Sequence, residues 1–432
     1  MKTTPGIQRK PYRKKLLRLI ESEDLIFVLG PRRSGKSTFA LELEELLKRL
    51  TMSDVYVSRI NFEDTNLMRV SVESLRKLFE TRYAMGRKNI FLVDEISHLI
   101  GWETALNEIL RLPKVKVILF SSTREVLSDR IDLVREGRCG VVHMLPLALP
   151  EFLFFHGFRE IDQTEPVSNV KLYRGPDDKT FTLGEIYRMY ISVGGMPVVS
   201  REQLAARHAW VAAEGTYCSS VTHDIMEYGS KSDKSRITDP LLLRTVITVL
   251  ARNVGENISA TRVGKIASEY LERPSSTKTV ESYMQAILNS HLFFISERFD
   301  IRSNAQLKTL SKYYIADTGV CGYVLGTQRL DDGAALENLV YMELLRRDLR
   351  VMNGKLGSDE VTFVMDPFGE RVYVQTSARL DESNRQKVLS PLRRIKDNYP
   401  KAVITMNSKT KKTPDGILIM NALEFLMGAK LR

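Results

Sequence analysis

Cysteine is scarce in this chain, with three residues among 432, and they lie far apart at Cys139, Cys218 and Cys321. Because no two of them form a CxxC pair, they argue against both a cysteine-rich zinc site and a disulfide framework. The six histidines show no metal-ligand spacing either. This usage fits a reducing compartment, and we expect a cytoplasmic protein.

Long hydrophobic runs are also absent. No stretch reaches ~18 consecutive apolar residues, so the sequence predicts no transmembrane helix and no membrane partner. The basic N-terminal segment lacks the apolar core of about 7–15 residues that a secretory signal requires. With 43% hydrophobic and 27% charged residues, the chain is expected to fold into globular domains.

The charge balance is basic, with 64 Lys and Arg residues against 53 Asp and Glu, a formal net charge of +11. A positive excess favours a polyanionic partner, because neutralising phosphates supplies affinity that does not depend on sequence. Nucleic acid, DNA in particular, is therefore the favoured partner. A basic surface kept for solubility and a protein partner are the alternatives.

Short apolar runs alternate with helical periodicities in the first part of the chain, after an amphipathic basic helix at about 11–20. The runs predict strands at 25–30, 54–62, 89–95 and 115–122. Strands that alternate with helices indicate right-handed crossovers and a parallel sheet that helices cover on both faces.

The stretch GPRRSGKS at 30–37 has the spacing G-x-x-x-x-G-K-[ST] between a predicted strand and a predicted helix. Its glycines let successive N–H groups face phosphate oxygens, Lys36 can reach the outer phosphates, and Ser37 can offer its hydroxyl to Mg²⁺. The sequence therefore predicts a nucleotide site that consists of Gly30, Pro31, Arg32, Arg33, Ser34, Gly35, Lys36, Ser37 and Thr38.

A second half of this site is predicted where the strand IFLVDE ends in two acids. Burying acids is costly unless they have a task. Asp94 is expected to hold Mg²⁺ through water, and Glu95 to polarise the attacking water. Ser121 and Ser122 end the next strand, where either hydroxyl could sense the γ-phosphate. Arg138 could stabilise transition-state charge, in cis or from a neighbouring subunit, and the alternative is an ordinary solvated arginine.

Downstream, helices followed by a β hairpin predict a winged helix-turn-helix. Its recognition helix would begin after Ser275 or Ser276, with Val280, Met284, Ile287 and Leu288 facing the core. DNA contacts are expected from the exposed side of the helix at Thr277, Lys278, Thr279, Ser282 and Tyr283, and from the wing at Arg298, Arg302 and Lys308. A role in protein contact or as a lid is the alternative.

Several segments together resemble the AAA-type ATPases of bacteria and archaea. They are GPRRSGKST, FLVDEISHLIGWETAL, LFSSTREVLSDRIDLVREGR, MLPLALPEFL, YISVGGMP, KYYIADTGV and LENLVYMELLRR. The most similar group joins an ATPase core to a winged helix and a C-terminal restriction-endonuclease-like domain of unknown function. The resemblance implies ATP binding and hydrolysis, with Ser122 as first sensor and Arg138 near the γ-phosphate. One departure is Phe120-Ser121-Ser122, where the family usually has Thr-Gly-Ser.

The expected fold class is α/β, a P-loop NTPase parallel sheet with a helical lid, a winged helix-turn-helix and a C-terminal restriction-endonuclease-like α/β domain. Five parts are predicted: a basic helix at 1–20, the ATPase core at 21–160, a helical lid and linker at 161–235, the winged helix at 236–330, and the endonuclease-like domain at 331–432.

The endonuclease-like domain lacks the carboxylates that a nuclease needs. Where the resemblance implies metal-binding acids and a lysine, this chain has Thr362, Gln375 and Ser377. Glu337 and Glu360 remain, but a hydroxyl and an amide cannot offset the desolvation of a divalent cation as carboxylates do. Nuclease activity is therefore not expected, and the domain would serve structure or binding.

These patterns predict an ATPase, with ATP and Mg²⁺ as cofactors, that couples turnover to conformational change on DNA. The alternative is a nucleotide-gated regulator of DNA or protein binding with little turnover. Homo-oligomers would be compatible with an arginine that acts on a neighbouring subunit.

Overall fold

A computed structural model describes residues 9–50, 54–63, 71–161, 171–199, 204, 206–227, 237–326, 328–366 and 370–431. The chain divides into two compact units: the first contains 1–144 and 289–291, and the second contains 145–288 and 292–432. The polar linker that the sequence predicts at 229–236 lies outside the described residues. The division into five parts remains a prediction.

The first unit contains a parallel sheet and its covering helices. Its elements are α1 (Lys10–Ser22), β1 (Leu25–Leu29), α2 (Lys36–Leu50), β2 (Val55–Asn61), α3 (Val72–Thr81), β3 (Lys88–Asp94), α4 (Trp102–Leu110), β4 (Val115–Ser121), α5 (Asp132–Arg135) and β5 (Gly140–His143). The five strands pair in parallel in the order β2-β3-β4-β1-β5.

Both faces of this sheet are buried, which explains why its strands are continuous apolar runs rather than alternating ones. In β1, Phe27 packs into the core with α3 and α4, whereas Val28 packs into the core with α1 and α2. Each large apolar side chain removed from water contributes about 1.5–3 kcal/mol. The predicted parallel α/β sheet is thus confirmed.

The second unit combines helices with two sheets. Its elements are α6 (Leu149–His156), β6 (Arg159–Glu160), β7 (Leu172–Arg174), β8 (Thr180–Thr182), α7 (Leu183–Val193), α8 (Ala206–Ser219), α9 (Pro240–Arg252), β9 (Asn257–Ile258), α10 (Ala260–Leu271), α11 (Thr277–Asn289), β10 (Phe293–Asp300), β11 (Ala305–Ile315), α12 (Thr318–Leu325), α13 (Asp332–Arg346), β12 (Val351–Leu356), β13 (Asp359–Met365), β14 (Val372–Ser377), α14 (Arg385–Arg394), β15 (Lys401–Thr405), β16 (Lys411–Lys412), β17 (Leu418–Asn421) and α15 (Ala422–Leu426). A π-helix at Ser220–Glu227 follows α8.

The larger sheet of this unit is mixed and has nine strands in the order β16-β17-β15-β14-β13-β12-β10-β11-β9. The predicted hairpin exists as β10 and β11, and β10 also pairs in parallel with β12, placing Arg298 beside Asn353. The hairpin therefore extends the C-terminal sheet across the boundary predicted at 330/331. None of the described helices is long and apolar enough to span a membrane.

Helix α11 begins and packs largely as its sequence predicts. The Ser276 hydroxyl accepts a hydrogen bond from the Thr279 N–H at 3.1 Å and caps the helix. The expectation that Tyr283 is exposed is wrong, because Tyr283 is 1% exposed and its hydroxyl accepts from the N–H groups of Thr238 and Asp239. Tyr283 follows the buried Val280 by three positions, which places both on one helix face.

The segments YISVGGMP and KYYIADTGV, which carried part of the resemblance, contact each other in the second unit. The Gly195 N–H donates to the buried carboxylate of Asp317 at 2.6 Å, and Gly194 has φ +80. A Cβ at Gly194 would lie 2.1 Å from Asp317 Oδ1, and one at Gly319 would lie 2.3 Å from the Val193 carbonyl. Burial raises the pKa of Asp317 to about 6. Glycines at these positions therefore permit a close approach of the two segments.

Candidate functional site

The loop between β1 and α2 has little room for side chains at its glycines. A Cβ at Gly30 would lie 1.9 Å from the carbonyl oxygen of Met144, a backbone atom that cannot move away easily. Gly35 has φ 95, and Arg33 has φ 64. The left-handed turn and the close approach explain why glycine begins and ends this loop.

Lys36, the first residue of α2, is 5% exposed and lies against its own loop. Its ammonium donates to the carbonyl oxygens of Gly30 and Pro31 at 3.0 and 3.1 Å. The Ser34 N–H also donates to Pro31 O at 3.2 Å, so the loop is tightly curled. A curled loop before a helix N-terminus is a favourable site for anions.

Two arginines hold this loop in place, Arg9 from outside the loop and Arg32 from within it. Arg9, just before α1, donates from Nη2 to the Ser34 carbonyl at 2.6 Å, and it is 2% exposed. Arg32 pairs with Glu63 at 2.8 Å. The sequence analysis missed Arg9, since a basic residue in a basic N-terminal segment has no distinguishing pattern.

Asp94 ends β3 as predicted and is 1% exposed. Neither of its carboxylate oxygens has a hydrogen-bond partner among the described residues. Burial raises the pKa of Asp94, and the nearby Ser37 hydroxyl and Lys36 ammonium oppose that rise. A buried carboxylate with two unused oxygens beside a serine hydroxyl fits a Mg²⁺ site.

Glu95 follows β3 in a left-handed conformation, with φ 52 and ψ 42. Its Oε1 accepts from the Ser122 N–H at 2.9 Å, and its Oε2 accepts from the Ser121 hydroxyl at 3.4 Å. The carboxylate is 4% exposed and is thus held by the end of the neighbouring strand β4. The predicted site residue Ser122 does lie beside Glu95, through its backbone N–H.

The structure does not bring Arg138 to this site within one chain. Arg138 precedes β5, and β5 runs parallel to β1, so it lies toward the edge of the sheet opposite to the phosphate loop. Its guanidinium is 65% exposed and pairs with Glu136 at 3.1 Å. Of the alternatives for this residue, the cis role finds no support in the geometry.

His291 is a residue of this site that the sequence analysis missed, reading it as an ordinary structural histidine. It is fully buried in the first unit, with Nδ1 2.9 Å from the carbonyl oxygen of Ser122. The two residues are 169 positions apart, and no spacing rule connects them.

Among the described residues, no group of three or more His, Cys, Asp or Glu side chains could hold a metal ion. Mg²⁺ sites commonly use only one or two carboxylates, with the remaining positions filled by water and by substrate phosphates. Asp94 and Ser37 could supply the protein ligands of such a site.

The DNA-binding candidates lie on two separate elements of the second unit. Lys278 on α11 and Arg302 in the hairpin turn are exposed, whereas Thr279, Ser282 and Arg298 are half-buried. The side chain of Lys308 lies outside the described residues. The exposed cations are accessible to a polyanion, but their arrangement identifies no partner.

Two acids of the second unit, Glu337 and Glu360, surround a lysine. Lys312 from β11 is 4% exposed and pairs with Glu337 at 3.0 Å and with Glu360. Burial lowers the pKa of Lys312, but the two carboxylates outweigh burial and raise this pKa above its ordinary value. The Tyr314 hydroxyl also donates to Glu337, at 2.8 Å. The cluster therefore carries its own cation.

Two of the positions where the resemblance implies acids, Thr362 and Gln375, bond to each other. Gln375 accepts from the Thr362 N–H at 3.1 Å, and the Thr376 hydroxyl donates to Glu337 at 3.3 Å. The Ser377 hydroxyl donates to the Arg379 carbonyl. Sequence reasoning identified the missing acids but not Lys312, because that lysine comes from the hairpin.

The parallel sheet, the curled loop between β1 and α2, and the two acids at the end of β3 define the first unit as a P-loop NTPase α/β domain. In agreement, residues 22–153 match the family model described as AAA domain. Residues 184–331 match a model described as a domain of unknown function (DUF8612). The chain thus carries an AAA-type domain, and the winged-helix and endonuclease-like assignments stay predictions.

An uncharacterized protein from Haemophilus influenzae is 27% identical over 424 residues, which cover 98% of each chain. Among solved structures, Cdc6p from Pyrobaculum aerophilum is 14% identical, with 76% of this chain and 96% of that chain covered and a TM-score of 0.28. AMPPCP-bound DnaA from Aquifex aeolicus is 14% identical, with 65% and 87% covered and a TM-score of 0.29. TM-scores this low do not indicate a shared fold over the aligned residues.

Proposed function

We propose that the first unit binds ATP with Mg²⁺ and hydrolyses it, and that turnover drives a conformational change. The observation that carries this proposal is the buried Asp94 carboxylate, whose two oxygens have no hydrogen-bond partner among the described residues. A buried unpaired acid is costly to the fold. Such a group beside Lys36 and Ser37 is best explained by a ligand that supplies positive charge.

The residues of the loop have distinct tasks in this proposal. The N–H groups of the loop after Pro31, together with the start of α2, would cradle the phosphates. Lys36 would leave the carbonyl oxygens of its own loop and donate to the outer phosphates. Ser37 and Asp94 would hold Mg²⁺, which neutralises negative charge on the phosphates when bound.

Glu95 would accept a proton from the attacking water or orient it. In this conformation both Glu95 oxygens accept hydrogen bonds from the end of β4. The position of Ser121 and Ser122 therefore controls where the Glu95 carboxylate points. The Ser122 hydroxyl would sense the γ-phosphate, and Arg138 would act on a neighbouring subunit of a homo-oligomer.

The binding step is tested with labelled ATP and the Lys36→Ala variant. Binding should fall to background, because the ammonium that faces the outer phosphates is removed. Lys48→Ala is a matched control, since Lys48 lies on the same helix, is 55% exposed and pairs only with Glu44 on the surface. Retained binding in Lys36→Ala would refute the proposed phosphate loop.

The hydrolysis step is tested with Glu95→Gln, which keeps the shape of the side chain but removes its basicity. We expect ATP turnover to fall by about 10²-fold or more while ATP binding persists. Glu45→Gln, at a 73% exposed side chain on α2, should turn over ATP like the wild type. Unchanged turnover in Glu95→Gln would show that this glutamate is not catalytic.

A nucleotide-gated regulator with little turnover is the second candidate. The held position of Glu95 favours it, because a carboxylate bonded by Ser121 and Ser122 is not free to meet water until that contact changes. ATP turnover measured with and without DNA separates the candidates. A rate that stays at the Glu95→Gln background in both conditions favours the regulator.

DNA is the proposed polyanionic partner, and the net charge of +11 supports it. Affinity for duplex and single-stranded DNA should fall steeply with added salt, because binding releases counterions. Removing the exposed cations, as in Lys278→Ala and Arg302→Ala, should reduce the salt dependence by about one counterion each. Absence of binding at low salt would favour a protein partner.

The C-terminal domain is proposed to lack nuclease activity. The Lys312 ammonium pairs with both Glu337 and Glu360, so a protein cation already lies where a nuclease would place a metal ion. Incubation of plasmid DNA with Mg²⁺ or Mn²⁺ should yield no cleavage by the wild type beyond that of Glu337→Gln. Cleavage that depends on Glu337 would contradict the proposal.

A further inference from the structure

His291 lies two residues after the end of α11 and two residues before β10, yet it belongs to the first unit. Its ring is fully buried and contacts the segment that follows β4. Nδ1 lies 2.9 Å from the Ser122 carbonyl, and Nε2 accepts from Arg124 Nε at 3.4 Å. The unit that contains the phosphate loop is thus completed by a residue from far along the chain.

The two contacts define the protonation state of this ring. Because an arginine N–H can only donate, Nε2 must be an acceptor, and Nδ1 then carries the proton that it donates to the Ser122 carbonyl. Burial, with the Arg124 guanidinium beside it, lowers the pKa of His291 well below its ordinary value. The ring is therefore neutral and holds the Ser122 peptide from its carbonyl side.

Ser122 connects His291 to the acid that would activate water. The Ser122 carbonyl accepts from His291, while the Ser122 N–H donates to Glu95 Oε1 at 2.9 Å. The N–H and the carbonyl lie at the two ends of one short residue, so a shift of Ser122 at its carbonyl also moves its N–H. The orientation of the Glu95 carboxylate therefore depends on an imidazole from the α11–β10 connection.

We propose that His291 is a positioning residue for Glu95 and acts through Ser122, so that ATP turnover depends on the placement of the α11–β10 connection. This inference rests on the proposed hydrolysis of ATP. It predicts a specific kinetic signature, because the contacts that argue for it, to the Ser122 carbonyl and to Arg124, lie in the segment after β4 that holds Glu95. Turnover should change while ATP affinity does not.

The test compares kcat and KM for ATP, and Kd for a nonhydrolysable ATP analogue, in three variants. His291→Ala should lower kcat roughly tenfold, a typical effect of one lost buried hydrogen bond, with Kd for the analogue within about twofold. His291→Asn should recover most of the rate, because its amide can donate from nearly the position of Nδ1. His156→Ala is the matched control, since His156 is a 1% exposed imidazole of the second unit.

A general loss of packing would give a different result. It would lower thermal stability in His156→Ala and His291→Ala alike, and His291→Asn would not recover the rate. If kcat of folded His291→Ala equals that of the wild type, or if His291→Asn is as slow as His291→Ala, the positioning role is wrong.

The double variant tests whether the effect passes through Glu95. In a Glu95→Gln background, His291→Ala should not slow the residual rate further, because residues that act as one unit are not additive. A further tenfold loss would overturn the inference alone. If the wild type has no turnover, or if Glu95→Gln is fully active, the proposed function fails and the inference fails with it.

Discussion

Two buried acid sites in this protein have opposite surroundings. Asp94 in the first unit is 1% exposed, and its oxygens have no hydrogen-bond partner among the described residues. Glu337 in the second unit is 17% exposed and receives Lys312, Tyr314 and Thr376. A buried charge is tolerated when it is paired, and otherwise it needs a ligand or loses its charge. The comparison separates an acid that we propose binds an external cation from acids that already pair with a lysine of the protein.

The largest expected effect is on turnover when the unpaired acid is neutralised. Asp94→Asn should lower ATP turnover by about 10²-fold or more. The reason is that a bound metal would stabilise the charge of the transition state by several kcal/mol. A titration of the ATPase rate with Mg²⁺ measures this loss. Asp132→Asn is the control, since Asp132 forms only partly exposed surface pairs with Arg111 and Arg135 in the same unit.

If Asp94→Asn is as active as Asp132→Asn, the unpaired oxygens serve no metal, and the contrast between the two acid sites loses its functional meaning.

The next effect is on stability when the paired cluster loses its cation. Lys312→Met should reduce the free energy of unfolding of the second unit by about 3–5 kcal/mol, because Glu337 is left buried without a counter-charge. Denaturant unfolding measures this. Lys355→Met is matched, since Lys355 lies in the same sheet but is 36% exposed and 3.8 Å from Asp300, a pair expected to contribute at most ~1 kcal/mol.

Adding Glu337→Gln to Lys312→Met should recover part of the loss, since the uncompensated charge is then removed. Equal destabilisation by Lys312→Met and Lys355→Met would show that the cluster is not a desolvated ion pair.

A smaller effect is the pH dependence of the Asp94 site. Burial raises the pKa of Asp94 above its ordinary value of 3.8, so the folded state binds this proton more tightly than the unfolded state. Stability therefore falls as pH rises from the ordinary to the raised pKa. Asp94→Asn should be more stable than the wild type above that window and no more stable below it. Thermal melts without nucleotide across pH 4–8 measure the difference, and an opposite trend would mean that the carboxylate has a partner.

The smallest effect is expected at Arg138. Its exposed ion pair with Glu136 belongs to neither of the two acid sites. Arg138→Ala should change the free energy of unfolding by at most ~0.5 kcal/mol. Turnover should fall only at protein concentrations where the chain self-associates, if Arg138 acts on a neighbouring subunit. Arg135→Ala, at a 67% exposed side chain in the same unit, is the control. A loss of turnover in dilute protein would place Arg138 in its own site.

Much of the first unit could be predicted because its signals are local. Each of these signals is a short stretch of neighbouring residues: an apolar strand, the glycines of the loop, or the acids at the end of β3. The spacing within each stretch follows from strand, turn and helix geometry. The helical periodicity of α11 likewise predicted Val280 and Met284 in the core. The exposure of Tyr283 was predicted wrongly, because its hydroxyl is polar. In the structure the ring is buried, and the hydroxyl accepts hydrogen bonds from the N–H groups of Thr238 and Asp239.

The residue types at Asp94, Glu95 and Lys36, and the absence of acids at Thr362 and Gln375, were determined by the sequence alone. Only the tertiary structure decided what surrounds them. His291 comes to Ser122 across 169 positions, and Lys312 comes to Glu337 from a neighbouring hairpin. Hydrogen bonds and ion pairs act over a few ångströms in space, whatever the distance along the chain. A local sequence pattern can therefore identify an acidic residue of a site. Only the folded chain shows whether that acid already has a hydrogen-bond or ion-pair partner.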